Sequence, residues 1–189
     1  LPLGIELAAA LVEHHDVAVV AQQLTNDYAF LAADLADLAP RHRSMRRVLD
    51  YSWQLLTTEE AHVLAQCSVF HGGVTLDAAT AITGATLLQL ESLIHQSLLR
   101  YADEERFALH ELVQRYAAEQ LDTMPARKRM VMNRFYEYYL KLLDTNQGAL
   151  PEQRQLATAL RLEFDNIRSA WLLAVWANDV DALDKGLDG

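Results

Sequence analysis

Apolar positions recur every three or four residues along most of the chain, the period of helices that turn one face to a core. The first segment, 1–36, reads as helical. Pro2 suits a first helical turn, where its missing N–H would be unpaired in any case. Ile5, Ala8, Ala9 and Val12 follow one helical spacing and Leu3, Leu7 and Leu11 another. This helix is therefore apolar nearly all round and expected to be buried. Thr25-Asn26-Asp27 interrupts the pattern before a helix over 28–38. Pro40 and Arg41-His42-Arg43-Ser44 mark a boundary, with Ser44 as cap of a helix over 45–56 that places Val48, Leu49, Trp53 and Leu56 on one side. Thr57-Thr58-Glu59-Glu60 has the spacing of a capping box and opens a helix to about 69, ahead of Gly72-Gly73. A short helix after Thr75 ends at Gly84, and another covers 86–96.

The period then shortens. Ser97-Leu98-Leu99-Arg100-Tyr101 and Arg106-Phe107-Ala108-Leu109 flank the polar Ala102-Asp103-Glu104-Glu105, a hairpin signal. A helix over 110–121 follows, with Leu112, Val113, Tyr116 and Leu121 on one face. Three helices, a two-stranded wing and a further helix predict a winged-helix domain over 41–123, preceded by a helical segment over 1–40. Over 124–189 the pattern is helical again. A helix over 126–143 carries Met130, Val131, Phe135, Tyr138, Tyr139 and Leu142, with most of Phe135, Tyr136, Tyr138 and Tyr139 expected in the core. A turn-rich stretch over 144–151 leads to a long helix that takes in Leu156, Leu160, Leu162, Ile167, Ala170 and Leu173 and ends near 178. The predicted class is mainly α, with one small β-hairpin.

Composition agrees. Of 189 residues, 51% are apolar and only seven are Gly and four Pro, which favours helices over strands. No apolar run reaches the roughly 18–20 residues of a membrane span. The start, with Glu6 and no basic segment, does not read as a signal peptide. Cys67 is the single cysteine and sits in an apolar run, as a core residue of a cytoplasmic protein would. The formal net charge of −10 opposes nonspecific nucleic-acid binding.

Candidate chemistry is sparse. No Gly-x-x-x-x-Gly-Lys-Ser/Thr is present to cradle a triphosphate, so no ATP hydrolysis is expected of this chain. His110-Glu111-Leu112-Val113-Gln114 has Gln114 where a zinc-protease helix needs its second histidine. No metal set and no nucleophile–base pair is visible, and the chain is not expected to be an enzyme. The helix over 86–96, placed where a groove-reading helix would be, contains Glu91 and several leucines but no Lys or Arg, and the wing turn is acidic. Protein contact is expected of it rather than DNA contact. The clusters Arg41, Arg43, Arg46, Arg47 and Arg127, Lys128, Arg129, Arg134 read as solvated faces or inter-domain ion pairs.

Five segments in order resemble STAND-type (NB-ARC-like) bacterial signalling ATPases, many of which regulate transcription. Leu1-Pro2-Leu3 is similar to their Gly-Leu-Pro-Leu motif without its first glycine. The stretch from Arg41 to Trp53 resembles their entry into the winged helix. Cys67-Ser68-Val69-Phe70-His71-Gly72-Gly73 and Phe107-Ala108-Leu109-His110-Glu111-Leu112 continue the match, the latter resembling the Met-His-Asp landmark with Glu111 in place of Asp. Leu162-Glu163-Phe164-Asp165-Asn166-Ile167-Arg168 resembles the opening of C-terminal TPR-like helical repeats. The resemblance implies that Pro2 packs near the adenine and His110 approaches the β-phosphate of ADP in a full-length protein whose ATPase domain lies upstream and whose repeats extend downstream. On that reading the chain is a non-catalytic regulatory module, with ADP or ATP held only by the full-length protein. The alternative is a DNA-binding winged-helix transcription factor domain. Homodimerisation through surfaces that the missing partners would cover is left open.

Overall fold

The computed structural model describes residues 40–103, 106–144 and 160–177, with a few isolated positions between 9 and 19. Its elements are α1 (Pro40–Leu55), α2 (Thr58–Cys67), β1 (Val74–Thr75), α3 (Leu76–Thr83), α4 (Leu87–His95), β2 (Arg100–Asp103), β3 (Arg106–Ala108), α5 (Glu111–Asp122), α6 (Pro125–Asp144) and α7 (Phe164–Ala177). The three strands form one antiparallel sheet in the order β1-β3-β2. Helix, strand, two helices and a hairpin follow one another as in a winged helix, and the class is mainly α, as predicted.

Local chemistry accounts for most boundaries. Thr57 caps α2 through a reciprocal box: its hydroxyl accepts from Glu60 N–H, and the Glu60 carboxylate accepts from Thr57 N–H at 2.9 Å. Thr86 and Gln89 repeat the device at α4, a pairing not singled out in the sequence. Gly84 closes α3 at φ +77°, a left-handed position where a side chain is strained. Burial alone would raise the Glu60 pKa, but hydrogen bonds from Ser92 and from Thr57 side chain and backbone together hold it below the ordinary carboxylate value. A depressed folded-state pKa adds stability above the unfolded value, and that stability is lost as pH falls through the folded one. Thr57→Ala is expected to cost about 1 kcal/mol in urea denaturation at neutral pH, with the deficit shrinking under acid conditions. A deficit independent of pH would count against the reciprocal box.

The core gathers Leu64, Ile82, Leu90, Leu93 and Val113 from α2 to α5, all within 1% of complete burial. Helix α6 lies on α3, α5 and α7. It contributes fully buried Val131, Phe135 and Tyr139, with Tyr136 nearly so, as the aromatic pattern predicts.

Several expectations need correction. Helix α1 begins at Pro40, so Ser44 lies inside it and does not cap it; proline is well placed in a first turn because its lacking N–H has no partner there. The sheet has a third strand, β1, too short to display an alternation in sequence. The long final helix is broken by a turn at Glu163, whose carboxylate is drawn inward to Arg106 and Asn166. Ala9 and Val12 are helical, yet both are exposed, so the first helix is not buried at these two positions. The turn-rich stretch 145–151, the helical stretch 28–38 and Pro2 lie outside the described residues.

Candidate regulatory surfaces

Helix α4 occupies the place of a groove-reading helix, and its surface decides what it can touch. Leu90 and Leu93 are fully buried. That leaves Leu87 and Leu88 outward, the latter 77% exposed, with Glu91 and Ile94 half-buried and His95 exposed. A groove-reading helix usually offers Arg or Lys to phosphates and base edges, and this one has neither; its polar groups are Gln89, Glu91, Ser92 and the exposed His95. On the adjacent wing, Arg100 and Tyr101 of β2 are exposed and Asp103 ends the strand. The start of α4 thus presents an apolar patch beside a mixed wing.

His110 stands at the N-cap of α5. Its Nδ1 accepts the Leu112 N–H at 3.2 Å, so the neutral ring carries its proton on Nε2. The residue is exposed, and an anion near it would meet that N–H together with the free amides of a helix start. The motif around it has a second structural use. The Gln114 amide donates to the carbonyls of Phe70 at 2.6 Å and Ser68 at 3.2 Å, tying α5 to the end of α2 where a zinc-binding helix would need histidine.

Two polar junctions absorb the remaining sequence motifs. In the first, α1 docks on α5. Arg46 pairs with Glu119 at 2.5 Å and lies 5.5 Å over the Tyr116 ring. Trp53 meets the same ring edge-on at 5.8 Å. Burial, and then the hydrogen bond to Asp50, push the Tyr116 hydroxyl well above the usual phenol range. In the second junction, Arg106 of β3 pairs with Glu163 and donates to the carbonyls of Gly73 at 3.0 Å and Leu162 at 3.3 Å. Asn166 donates to Gly73 and Glu163, both at 2.8 Å, and accepts the His71 N–H at 2.6 Å. Arg106 and Glu163 are 5% and 6% exposed and Asn166 not at all. A buried carboxylate of this kind is stable only when paired.

Arg106 was not singled out from the sequence. The one available signal was a charge inside the short apolar run Arg106-Phe107-Ala108-Leu109, which on a central strand has to be buried. Of the basic clusters, Arg46 and Lys128 are ion-paired, Arg47 is buried, and Arg129 and Arg134 are exposed. Cys67 is buried and its thiol is pushed up to about 12 by desolvation, which makes it inert. Among the described residues no cluster of three or more His, Cys, Asp or Glu is placed to hold a metal, and no helix is long and apolar enough to cross a membrane. A groove of about 560 Å³ between α5, α6 and α7 is lined by Leu121, Met132, Leu172 and Trp176, with His71, Asp122, Lys128 and Ser169 also on its walls.

Over 99% of its length the chain is 30% identical to proteins of Mycobacterium tuberculosis and Mycobacterium bovis named as candidate HTH-type transcriptional regulators. It spans only 22% of the length of those relatives. No family model matches the chain. No solved structure matches it either.

Proposed function

We propose that the chain is the winged-helix segment of a larger transcriptional regulator, flanked on both sides by helical elements. The observation that carries this reading is the winged-helix element order within a segment similar along its whole length to helix-turn-helix regulators. The names of those relatives favour the DNA-binding alternative over the nucleotide-gated module. The chemistry of α4 then limits how much of the DNA contact this segment supplies. Leu87 and Leu88 can touch thymine methyl groups, and Arg100 on the wing can reach a phosphate, but few charges are available to release counterions.

Fluorescence anisotropy on a labelled duplex, at about 50 and 200 mM salt, tests this. The full-length regulator is expected to bind. The segment alone is expected to bind weakly, with a log–log salt slope of roughly −1 to −3, the value for one to three neutralised phosphates. A full-length protein without DNA affinity would remove the reading. A full-length protein whose affinity is unchanged by Leu88→Asp would assign DNA contact to another segment and the α4 leucines to protein contact.

A second reading keeps the winged helix as a nucleotide-sensing element, and the exposed Nε2–H of His110 at a helix start favours it. The phosphate-binding loop would come from an ATPase domain elsewhere in the full-length protein, with Pro2 beside the adenine and His110 on a phosphate oxygen of ADP. The domain division at 40 and 123 and the TPR-like continuation belong to the same reading. His110→Ala in the full-length protein is expected to weaken ADP about tenfold, the worth of one charge-assisted hydrogen bond, measured by calorimetry. Unchanged ADP affinity would end the proposed role.

A further inference from the structure

We propose that the Arg106–Glu163–Asn166 cluster is a coupling joint that makes the wing and helix α7 move as one body. All of its bonds but the Asn166–Glu163 one, which spans three residues, are long-range. Arg106 reaches 33 residues back to Gly73 and 57 forward to Glu163, while Asn166 reaches 95 back to His71. One guanidinium and one carboxamide thus hold three segments together: the central strand of the sheet, the turn before β1 and the start of α7.

Steric limits reinforce the polar ones. Gly72 and Gly73 have φ of +74° and +96°. A Cβ on Gly72 would lie 3.2 Å from the Asp165 carboxylate of α7, and one on Gly73 would lie 3.1 Å from the Phe107 carbonyl of the wing. The glycine turn is pressed between wing and helix, with its Gly73 carbonyl shared by Arg106 and Asn166. Buried ionic groups of this kind add little stability over apolar residues of similar volume, but their directional bonds admit one arrangement. The joint therefore specifies orientation. In a longer protein, a shift in the helices after α7 would be passed to the wing and not absorbed between them. This holds whichever surface meets DNA.

Spin labels at Tyr101→Cys on the wing and Trp176→Cys on α7, both exposed, report the distance between the two bodies by double electron–electron resonance. The parent is expected to give one narrow distance. The double variant R106M/E163L is expected to remain folded and to broaden that distribution about twofold or split it. A folded double variant with the parent's width would overturn the joint. Should R106M/E163L fail to fold, N166L is read by the same criterion. Hydrogen exchange of the unaltered chain gives an independent readout: amides of β3 and α7 are expected to open with protection within about threefold of each other, as one cooperative unit. A difference of more than about tenfold would overturn the proposal without any variant.

Discussion

Phe135→Ala is expected to destabilise the chain by about 3–5 kcal/mol, a large part of the roughly 5–15 kcal/mol that holds a domain of this size together. The ring is fully buried and lies where three parts of the fold meet. It packs 5.9 Å from Phe70, at the end of the α2 segment, and edge-on at 5.0 Å to Tyr139 one turn along α6. Tyr138 in turn meets Tyr139 at 5.2 Å. Truncation leaves a cavity walled by rigid rings, which cannot collapse as a patch of leucines would, so the cost belongs near the top of the range. Urea denaturation should show a lower midpoint with an unchanged slope. A loss below about 1 kcal/mol would mean that α6 does not depend on this contact.

Glu163→Ala is expected to cost a similar amount, about 3–5 kcal/mol, for a different reason. Arg106 would stay charged and buried with only the neutral carbonyls of Gly73 and Leu162 to meet it. Glu111→Ala provides the contrast. It removes the Arg115–Glu111 pair, whose side chains are 65% and 79% exposed, and should change stability by no more than about 0.5 kcal/mol. Chemical denaturation of the two variants side by side separates buried pairing from surface pairing. Equal losses would show that Arg106 finds water once its partner is gone.

The parts of this fold written in local signals were legible in the sequence. Thr57 and Glu60, three apart, announce a helix start through backbone groups that only they can reach, and Gly84 announces an end through a conformation few other residues adopt. The hairpin was legible because Phe107 and the residues around it interrupt the helical period. What escaped depends on residues distant in the chain. Strand β1 exists because β3 passes beside Val74 and Thr75, with Val74 opposite Phe107 and Thr75 opposite Arg106. The break at Glu163 exists because Arg106 waits 57 residues earlier. Neither has a spacing to recognise. For the candidate sites, the outward leucines of α4 followed from its composition. The meaning of Glu163 and Asn166 needed their partners in view.

Chain order gives Arg106 one more consequence, in the time of synthesis. The wing is translated well before Glu163, and at roughly 5–20 residues per second the 57 residues between them take several seconds. Through that interval the sheet can form, since β1 and β2 both precede or adjoin β3. Glu163, the carboxylate that pairs with the guanidinium in the finished fold, is not yet made at that point, and water must serve in its place. The wing is therefore finished by a residue that the ribosome delivers late. A nascent chain stopped before 163 should hold a looser wing than one stopped after 177, a difference that proteolysis of ribosome-bound chains would read directly.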